Sequence, residues 1–210
     1  MRPSALLLGI PLLVAAPAHK KPAPITATAT ATAPPTATVT TMAPATPPPT
    51  PAERVVARAR LEVSRAVSYD PAYVRLAYPG GDPDPSTGVC TDVVIRSYRA
   101  AGIDFQKLVH EDVLRAPRAY EPWVKTPDAN IDHRRVGPML VYLRRHARSL
   151  PLNGEWAAGD VVVISFEACP ACSPAHVGIV SDKIGPRGIP LLLHNMGPTP
   201  REEDTLDAWT

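Results

Sequence analysis

The chain lacks a marked excess of charge of either sign. Its 22 lysine and arginine residues nearly balance its 20 aspartate and glutamate residues, and the formal net charge is +2. Basic and acidic residues are mixed along the chain, and no basic stripe is interleaved with aromatic residues. Nucleic-acid binding is therefore not expected, because it needs clustered cations that contact the phosphate backbone.

Long apolar runs are also missing. The run from Ala5 to Ala16 follows a single positive charge at Arg2 and leads into an Ala-x-Ala cleavage site that ends at Ala18. A transmembrane helix needs about 20 apolar residues, so this run is too short to span a bilayer. The pattern predicts a signal peptide over residues 1–18, with a retained anchor as the alternative. We therefore expect a periplasmic or secreted protein with no membrane span after processing.

Aromatic residues and periodic apolar residues are absent between positions 20 and 51. That stretch consists almost entirely of proline, threonine and alanine, so it cannot bury a core. Residues 19–51 are predicted to be a disordered linker, which acts either as a semi-rigid spacer or as an inert low-complexity tail. The remaining residues, 52–210, have a length typical of one domain.

Cysteine is scarce, with three residues in the chain. Cys169 and Cys172 form a Cys-x-x-Cys pair, and in an oxidising compartment this spacing predicts a local disulfide. The alternatives are a redox couple and a structural zinc site that adds His176 and His194 as ligands. The disulfide leaves Cys90 as the odd, reduced thiol.

Cys90 follows a loop rich in glycine and proline, residues 78–88, and opens a predicted helix. A helix N-terminus presents unpaired N–H groups and the positive end of the helix dipole, which both stabilise a thiolate. We therefore expect the pKa of Cys90 to lie below its ordinary value of about 8.5, and the thiol to act as a nucleophile. A buried, unreactive cysteine is the alternative interpretation.

Two histidines downstream lie in short apolar runs that are typical of strands. His176 begins the first run, and His194 ends the second. Between them lie Gly185 and Pro186, which indicate the turn of a hairpin. A turn centred there places His176 opposite Asn195 and next to His194, within one residue of register. Both imidazoles are thus expected at one end of the hairpin.

A thiol, a histidine base and a polar group that orients the base recur in enzymes of nucleophilic acyl transfer. The order along the chain predicts Cys90 as the nucleophile, His176 as the general base and His194 as the orienting residue. Asp92, in the first turn of the predicted helix, and Asn195, beside His194, are candidates for contact with a substrate. No metal ion or other cofactor is expected.

Predicted helices precede predicted strands along the domain. The spacing of apolar residues predicts helices over residues 52–66, 91–101, 106–115 and 138–148. Val161 to Ile164 form a continuous apolar run, which is typical of a strand buried on both faces. This order predicts an α+β fold in which N-terminal helices pack on one face of a C-terminal antiparallel sheet.

Several sequence blocks resemble known families. The NlpC-type papain-like cell-wall peptidases have blocks similar to Gly88-Val89-Cys90-Thr91-Asp92, Gly159-Asp160-Val161-Val162, His176-Val177-Gly178-Ile179-Val180 and His194-Asn195. A closer resemblance, to the bacterial domain-of-unknown-function family 1287, is carried by residues 69–74, 78–82, 130–135 and 203–204. The resemblance covers nearly all of residues 55–209.

The resemblance implies a papain-like, NlpC-type fold for residues 52–210, with Cys90, His176 and His194 as the catalytic set. It also makes Tyr78 a candidate for positioning the substrate, because the larger superfamily often has a tyrosine ahead of its Gly-Gly. The implied function is that of an exported, monomeric cysteine amidohydrolase that cleaves an amide bond in peptidoglycan stem peptides. The alternative is a non-catalytic envelope module that binds cell-wall peptide or a protein partner in the same cleft.

Overall fold

The architecture comes from a computed structural model that describes residues 4–9, 47–151, 155–166, 174–206 and 208. Most of the predicted linker lies outside these ranges, and so do Cys169 and Cys172 with their predicted disulfide. Within the described ranges, none of the helices combines the length and the apolar character that crossing a membrane requires.

Most of the helices lie in the first half of the domain, and two of them begin at residues whose side chains cap the helix. They are α1 (Pro51–Ser64), α2 (Cys90–Ala100), α3 (Phe105–Arg115), α4 (Pro117–Tyr120) and α5 (Val136–His146), with a 3₁₀ turn at Asp132–Arg134. Thr50 forms a capping box with Glu53 at the start of α1, and Asp104 caps α3. The four helices predicted from apolar spacing are confirmed to within two residues at each end. Residues 117–120, which lie outside the four predicted helices, form α4.

Most of the strands follow the helices and form an antiparallel sheet. The strands are β1 (Ser4–Gly9), β2 (Ser68–Tyr69), β3 (Thr87–Gly88), β4 (Arg148–Leu150), β5 (Val161–Ser165), β6 (His176–Ile184), β7 (Pro190–His194) and β8 (Arg201–Glu203). The sheet has the order β4-β1-β5-β6-β7-β8, while β2 and β3 form a short parallel pair. The predicted α+β class with an antiparallel sheet is confirmed. β1 lies within the predicted signal peptide, which stays a prediction.

The apolar core occupies both faces of the central strands. On one face, Val161 and Val163 pack in a cluster with buried side chains of α1, α2, α3 and α5. On the other face, Val162 and Ile164 pack with Leu206. Burial of all four residues of this run confirms the prediction of a strand buried on both sides. The helices therefore cover one face of the sheet.

Helix α2 is fixed on the sheet and on α1 by buried polar contacts. The Tyr98 hydroxyl donates a hydrogen bond of 2.7 Å to the carbonyl oxygen of Gly159, just before β5. Arg96 forms a buried ion pair of 2.7 Å with Glu62 of α1. Because these contacts hold the middle and the end of α2, the position of its first residue, Cys90, is defined relative to β6.

Candidate active site

Cys90 is the first residue of α2 and lies at the bottom of a cleft. Only 6% of its surface is exposed. The cleft has a volume of about 320 Å³ and is lined by two tyrosines, Tyr69 and Tyr73, two arginines, Arg134 and Arg135, and mostly apolar side chains besides. A small molecule or an extended peptide segment in this cleft would therefore meet the sulfur at its floor.

The backbone ahead of Cys90 approaches α2 closely, which favours a glycine at position 88. A Cβ atom added to Gly88 would lie 3.2 Å from the Cβ of Asp92 and 3.2 Å from a guanidinium nitrogen of Arg96. This approach accounts for the last glycine of the predicted loop, Gly88. The backbone N–H groups of Val177 and Thr91 act to lower the pKa of the Cys90 thiol, and Val177 directly follows His176 in β6.

The two predicted histidines are in direct contact. Nε2 of His176 lies 3.0 Å from Nδ1 of His194, and the two rings are nearly perpendicular. Nε2 of His194 lies 2.9 Å from a carboxylate oxygen of Glu203. Gly178 permits this arrangement, because a Cβ there would lie 3.1 Å from the Cβ of His194. The structure thus brings the predicted base and its orienting residue together.

The carboxylate of Glu203 fixes the tautomers along this chain of contacts. A carboxylate accepts, so Nε2 of His194 carries the proton and its Nδ1 is the acceptor. Nε2 of His176 then donates to that Nδ1, which leaves Nδ1 of His176 as the basic nitrogen. Glu203 was not among the predicted site residues. Glu203 lies in the last strand, β8. In that strand Arg201 is paired with His194, and Glu203 is two residues further along.

Burial sets the charge state of the nucleophile and the base. Burial raises the pKa of the Cys90 thiol to about 11, although the N–H groups of Val177 and Thr91 act in the opposite direction. Burial and the neighbouring His194 lower the pKa of His176 to about 3. The expected low pKa of Cys90 is therefore wrong, because loss of solvation outweighs the helix N-terminus. At neutral pH the pair is a thiol and a neutral imidazole.

Asp92, predicted to contact substrate, lies beneath the site. Only 1% of its surface is exposed, and one carboxylate oxygen accepts the N–H of Val89 at 2.8 Å. Both oxygens also accept hydrogen bonds of 2.9 Å from the guanidinium of Arg134. Thr91 adds a hydrogen bond of 2.8 Å from its hydroxyl to the carbonyl oxygen of Arg134. Asp92 therefore positions the start of α2 and joins it to the turn at Asp132–Arg134.

Asn195, the second predicted contact residue, is also fully buried. Its side-chain nitrogen donates to the carbonyl oxygen of Gly88 at 3.2 Å, and its side-chain oxygen accepts the N–H of Gly197 at 3.0 Å. Both polar ends of the side chain are used within the protein. Asn195 therefore holds the loop before Cys90 against the end of β7 instead of facing a ligand.

Tyr78, implied by the resemblance to position substrate, lies elsewhere on the surface. Its ring is 45% exposed and packs edge-on against His110, with ring centroids 5.5 Å apart. It does not line the Cys90 cleft, where Tyr69 and Tyr73 lie instead. Burial and the nearby Cys90 raise the pKa of Tyr69. The sequence signal that could have found them is the block of residues 69–74, which carries two tyrosines.

Metal-ligating groups do not converge in the part of the chain that the structure describes. No three His, Cys, Asp or Glu side chains there lie close enough together to hold an ion. The alternative zinc set includes Cys169 and Cys172, which lie outside the described ranges.

The charge state of Cys90 is testable by alkylation. In a chain with Cys169→Ser and Cys172→Ser, the rate of Cys90 alkylation by iodoacetamide is expected to rise with an apparent pKa near 11. Burial disfavours the thiolate, so the midpoint lies above the ordinary value of about 8.5. The same chain unfolded in urea is the control and should titrate at the ordinary value. A folded-state midpoint below 8.5 would show a preformed thiolate–imidazolium pair and contradict this assignment.

Comparisons with known proteins agree on one family. Residues 56–210 match the family described as "Domain of unknown function (DUF1287)". The "Uncharacterized protein YijF" of Escherichia coli (strain K12) is 43% identical over 156 residues, which are 72% of this chain and 74% of that protein. No solved structure matches the chain. The matched region contains the whole candidate site, that is Cys90, His176, His194 and Glu203. Because the match covers most of the chain, the chain belongs to the DUF1287 family.

Proposed function

We propose that the chain is an exported cysteine amidohydrolase with a papain-like, NlpC-type fold, which cleaves an amide bond in peptidoglycan stem peptides. The observation that carries the proposal is the continuous chain of contacts from His176 through His194 to Glu203. The strands β6 and β7, which carry the two histidines, pack against helix α2, and the first residue of α2, Cys90, lies at the floor of a cleft. This is the nucleophile, base and orienting group of acyl transfer, extended by one carboxylate. A site built only for packing does not need both a cysteine that lines a cleft and a histidine whose ring is oriented by a second histidine and a carboxylate.

The reaction begins with proton transfer from the Cys90 thiol to Nδ1 of His176. The sulfur attacks the carbonyl carbon of the amide, a C–S bond forms, and the carbonyl π electrons move onto oxygen. The backbone N–H group of Cys90, at the start of α2, is a donor for that oxyanion. The resulting imidazolium shares its other proton with His194, and Glu203 stabilises the positive charge through it.

Collapse of the intermediate breaks the C–N bond as His176 returns its proton to the leaving amine. A thioester to Cys90 remains. Water then attacks the thioester, gives one proton to His176 and releases a carboxylic acid, and the thiol is reformed. The net change is one amide and one water converted to one amine and one acid, with no oxidant or metal consumed.

The substrate class is supported by the cleft and by the predicted export. The volume of about 320 Å³ is at the lower end of the range for small-molecule sites and suits a few residues of an extended peptide. Tyr69 and Tyr73 give it flat, amphipathic walls. A protein exported to the periplasm or beyond meets cell-wall peptides as an abundant source of amide bonds.

A non-catalytic peptide-binding module is the second candidate. It is favoured by the protonated state of the buried Cys90 thiol, whose pKa is raised to about 11. A protein that only binds peptide would use the same cleft and would leave every amide intact.

Hydrolysis of a disaccharide tetrapeptide by the purified chain tests the proposal. We expect mass spectrometry to show two products whose summed mass exceeds that of the substrate by one water. In heavy-oxygen water the new carboxylate should carry one labelled oxygen, because water resolves the thioester. The control is the same protein alkylated at Cys90. If the tetrapeptide binds but is not cleaved over a wide range of enzyme concentration, the proposed amidohydrolase activity is contradicted and the peptide-binding module is favoured.

A further inference from the structure

The Cys90 cleft contains two arginines in very different states. Arg134 is buried, and two of its nitrogens are bound by Asp92 at 2.9 Å, while a third contacts the carbonyl oxygen of Ala72 at 3.3 Å. Its charge is therefore compensated within the protein. The next residue, Arg135, is exposed, and its side chain makes no hydrogen bond or ion pair with any residue that the structure describes.

No carboxylate of the cleft wall balances Arg135. Among the described residues that line the cleft, none is aspartate or glutamate. The side chains around Arg135 include Ile131 and Val136, which are apolar and reduce the water available to the guanidinium once a ligand covers them. An ion pair formed there is stronger than one on an open surface, because less solvent screens it.

The start of α5 adds to the positive potential at the same place. Arg135 is the N-cap residue of this helix of 11 residues, and its side chain forms no capping hydrogen bond. The first N–H groups of a helix lack partners within it, and the helix dipole is positive at this end. The guanidinium and the helix end therefore favour an anion together.

We infer that Arg135 binds a carboxylate of the substrate next to the bond that Cys90 attacks. This inference rests on the proposed function, because it takes a peptide as the occupant of the cleft. The planar guanidinium matches a carboxylate with two parallel hydrogen bonds, and a neutral carboxamide satisfies only part of that geometry. The cleft selects stem peptides whose carboxylates are free over those whose carboxylates are amidated.

Binding to a chain with Cys90→Ala tests the anchor apart from catalysis. The probes are the tripeptide L-alanyl-γ-D-glutamyl-diaminopimelate, its form amidated on the D-glutamate α-carboxyl, and its form amidated on the diaminopimelate carboxyls. We expect the free tripeptide to bind about 10- to 100-fold more tightly than at least one amidated form, the range for losing one charge-assisted contact. Isothermal titration gives each dissociation constant.

Arg135→Gln should reduce that preference to less than about twofold, because the neutral side chain loses the charge-assisted contact. Arg144→Gln is the matched control: it removes the same charge from an exposed position on α5 and should leave the preference intact. Two outcomes overturn the inference: the preference for the free tripeptide persists in the chain that also carries Arg135→Gln, or the chain with Cys90→Ala alone shows no such preference.

Hydrolysis of the same peptides by the chain with its cysteine separates the two claims. Cleavage of free and amidated peptides with equal kcat/KM would keep the proposed function and overturn the role of Arg135. An Arg135-dependent binding preference without cleavage would keep the anchor and overturn the amidohydrolase.

Discussion

Replacing His176 by alanine is expected to lower kcat for amide hydrolysis by about 10³-fold or more at pH 7. The reason is the protonated state of the nucleophile. With a thiol pKa of about 11, only about one Cys90 in 10⁴ is ionised at neutral pH without a base. His176 supplies the acceptor for that proton at the moment of attack. Steady-state kinetics on a cleavable stem peptide measure the loss.

The pH dependence of the His176→Ala variant distinguishes loss of a base from loss of structure. Hydroxide replaces the missing imidazole, so kcat should rise about tenfold per pH unit from pH 7 towards the thiol pKa. The parent chain should be much flatter over that range. His146→Ala, a change at a partly exposed histidine at the end of α5, is the control and should retain activity. A His176→Ala rate that ignores pH, or nearly full activity at pH 7, would remove His176 from the mechanism.

Loss of the contact between Glu203 and His194 is expected to lower kcat less than loss of His176. Glu203→Gln keeps the shape of the side chain but removes the charge that fixes the tautomer of His194. We expect a loss of about 10- to 100-fold in kcat with little change in KM, because second-layer partners of a histidine typically contribute that much. A Glu203→Gln chain that urea denaturation shows to be largely unfolded at pH 7 would mean that Glu203 acts on folding instead.

The sequence selected Cys90, His176 and His194 as candidate site residues but did not predict the register that joins the two histidines. A turn at Gly185 and Pro186 predicts His176 opposite Asn195, and that register would put His194 on the other face of the hairpin. The structure has Ile184 opposite Pro190 and Val180 opposite Leu192, so an irregularity in β6 absorbs two residues. His194 then lies across from Gly178, and His176 reaches it diagonally. Bulges of this kind depend on tertiary packing and leave no local signal.

The sequence also could not separate polar residues that face a ligand from those that face the protein. Asp92 follows Cys90 by two residues and Asn195 directly follows His194, and their proximity to these candidate residues suggested contact with substrate. Their partners are distant in sequence, since Arg134 lies 42 residues from Asp92 and Gly88 lies 107 residues from Asn195. The raised pKa of Cys90 was not predicted for the same reason: it is caused by burial, and burial depends on the whole fold. Helix bounds, by contrast, follow from local periodicity and caps.

Replacing Asp92 by alanine is expected to lower the free energy of unfolding by about 3–5 kcal/mol, although Asp92 touches no substrate. The change leaves the buried guanidinium of Arg134 without its counter-ion and the N–H of Val89 without an acceptor. Urea denaturation followed by tryptophan fluorescence measures the difference. Asp182→Ala is the matched control, since Asp182 pairs with Arg60 at a half-exposed site and should cost no more than about 1 kcal/mol.

A double variant separates the ion pair from the packing around it. Asp92→Ala combined with Arg134→Met removes both charges, so the stranded cation disappears and part of the lost stability should return. Full stability should not return, because the N–H of Val89 still lacks its partner, at a cost of about 1–3 kcal/mol. If the double variant is less stable than Asp92→Ala alone, the stranded charge is not the cause. The side chain of Arg134 would then stabilise the fold through its contact with the carbonyl oxygen of Ala72 and its packing more than through the carboxylate of Asp92.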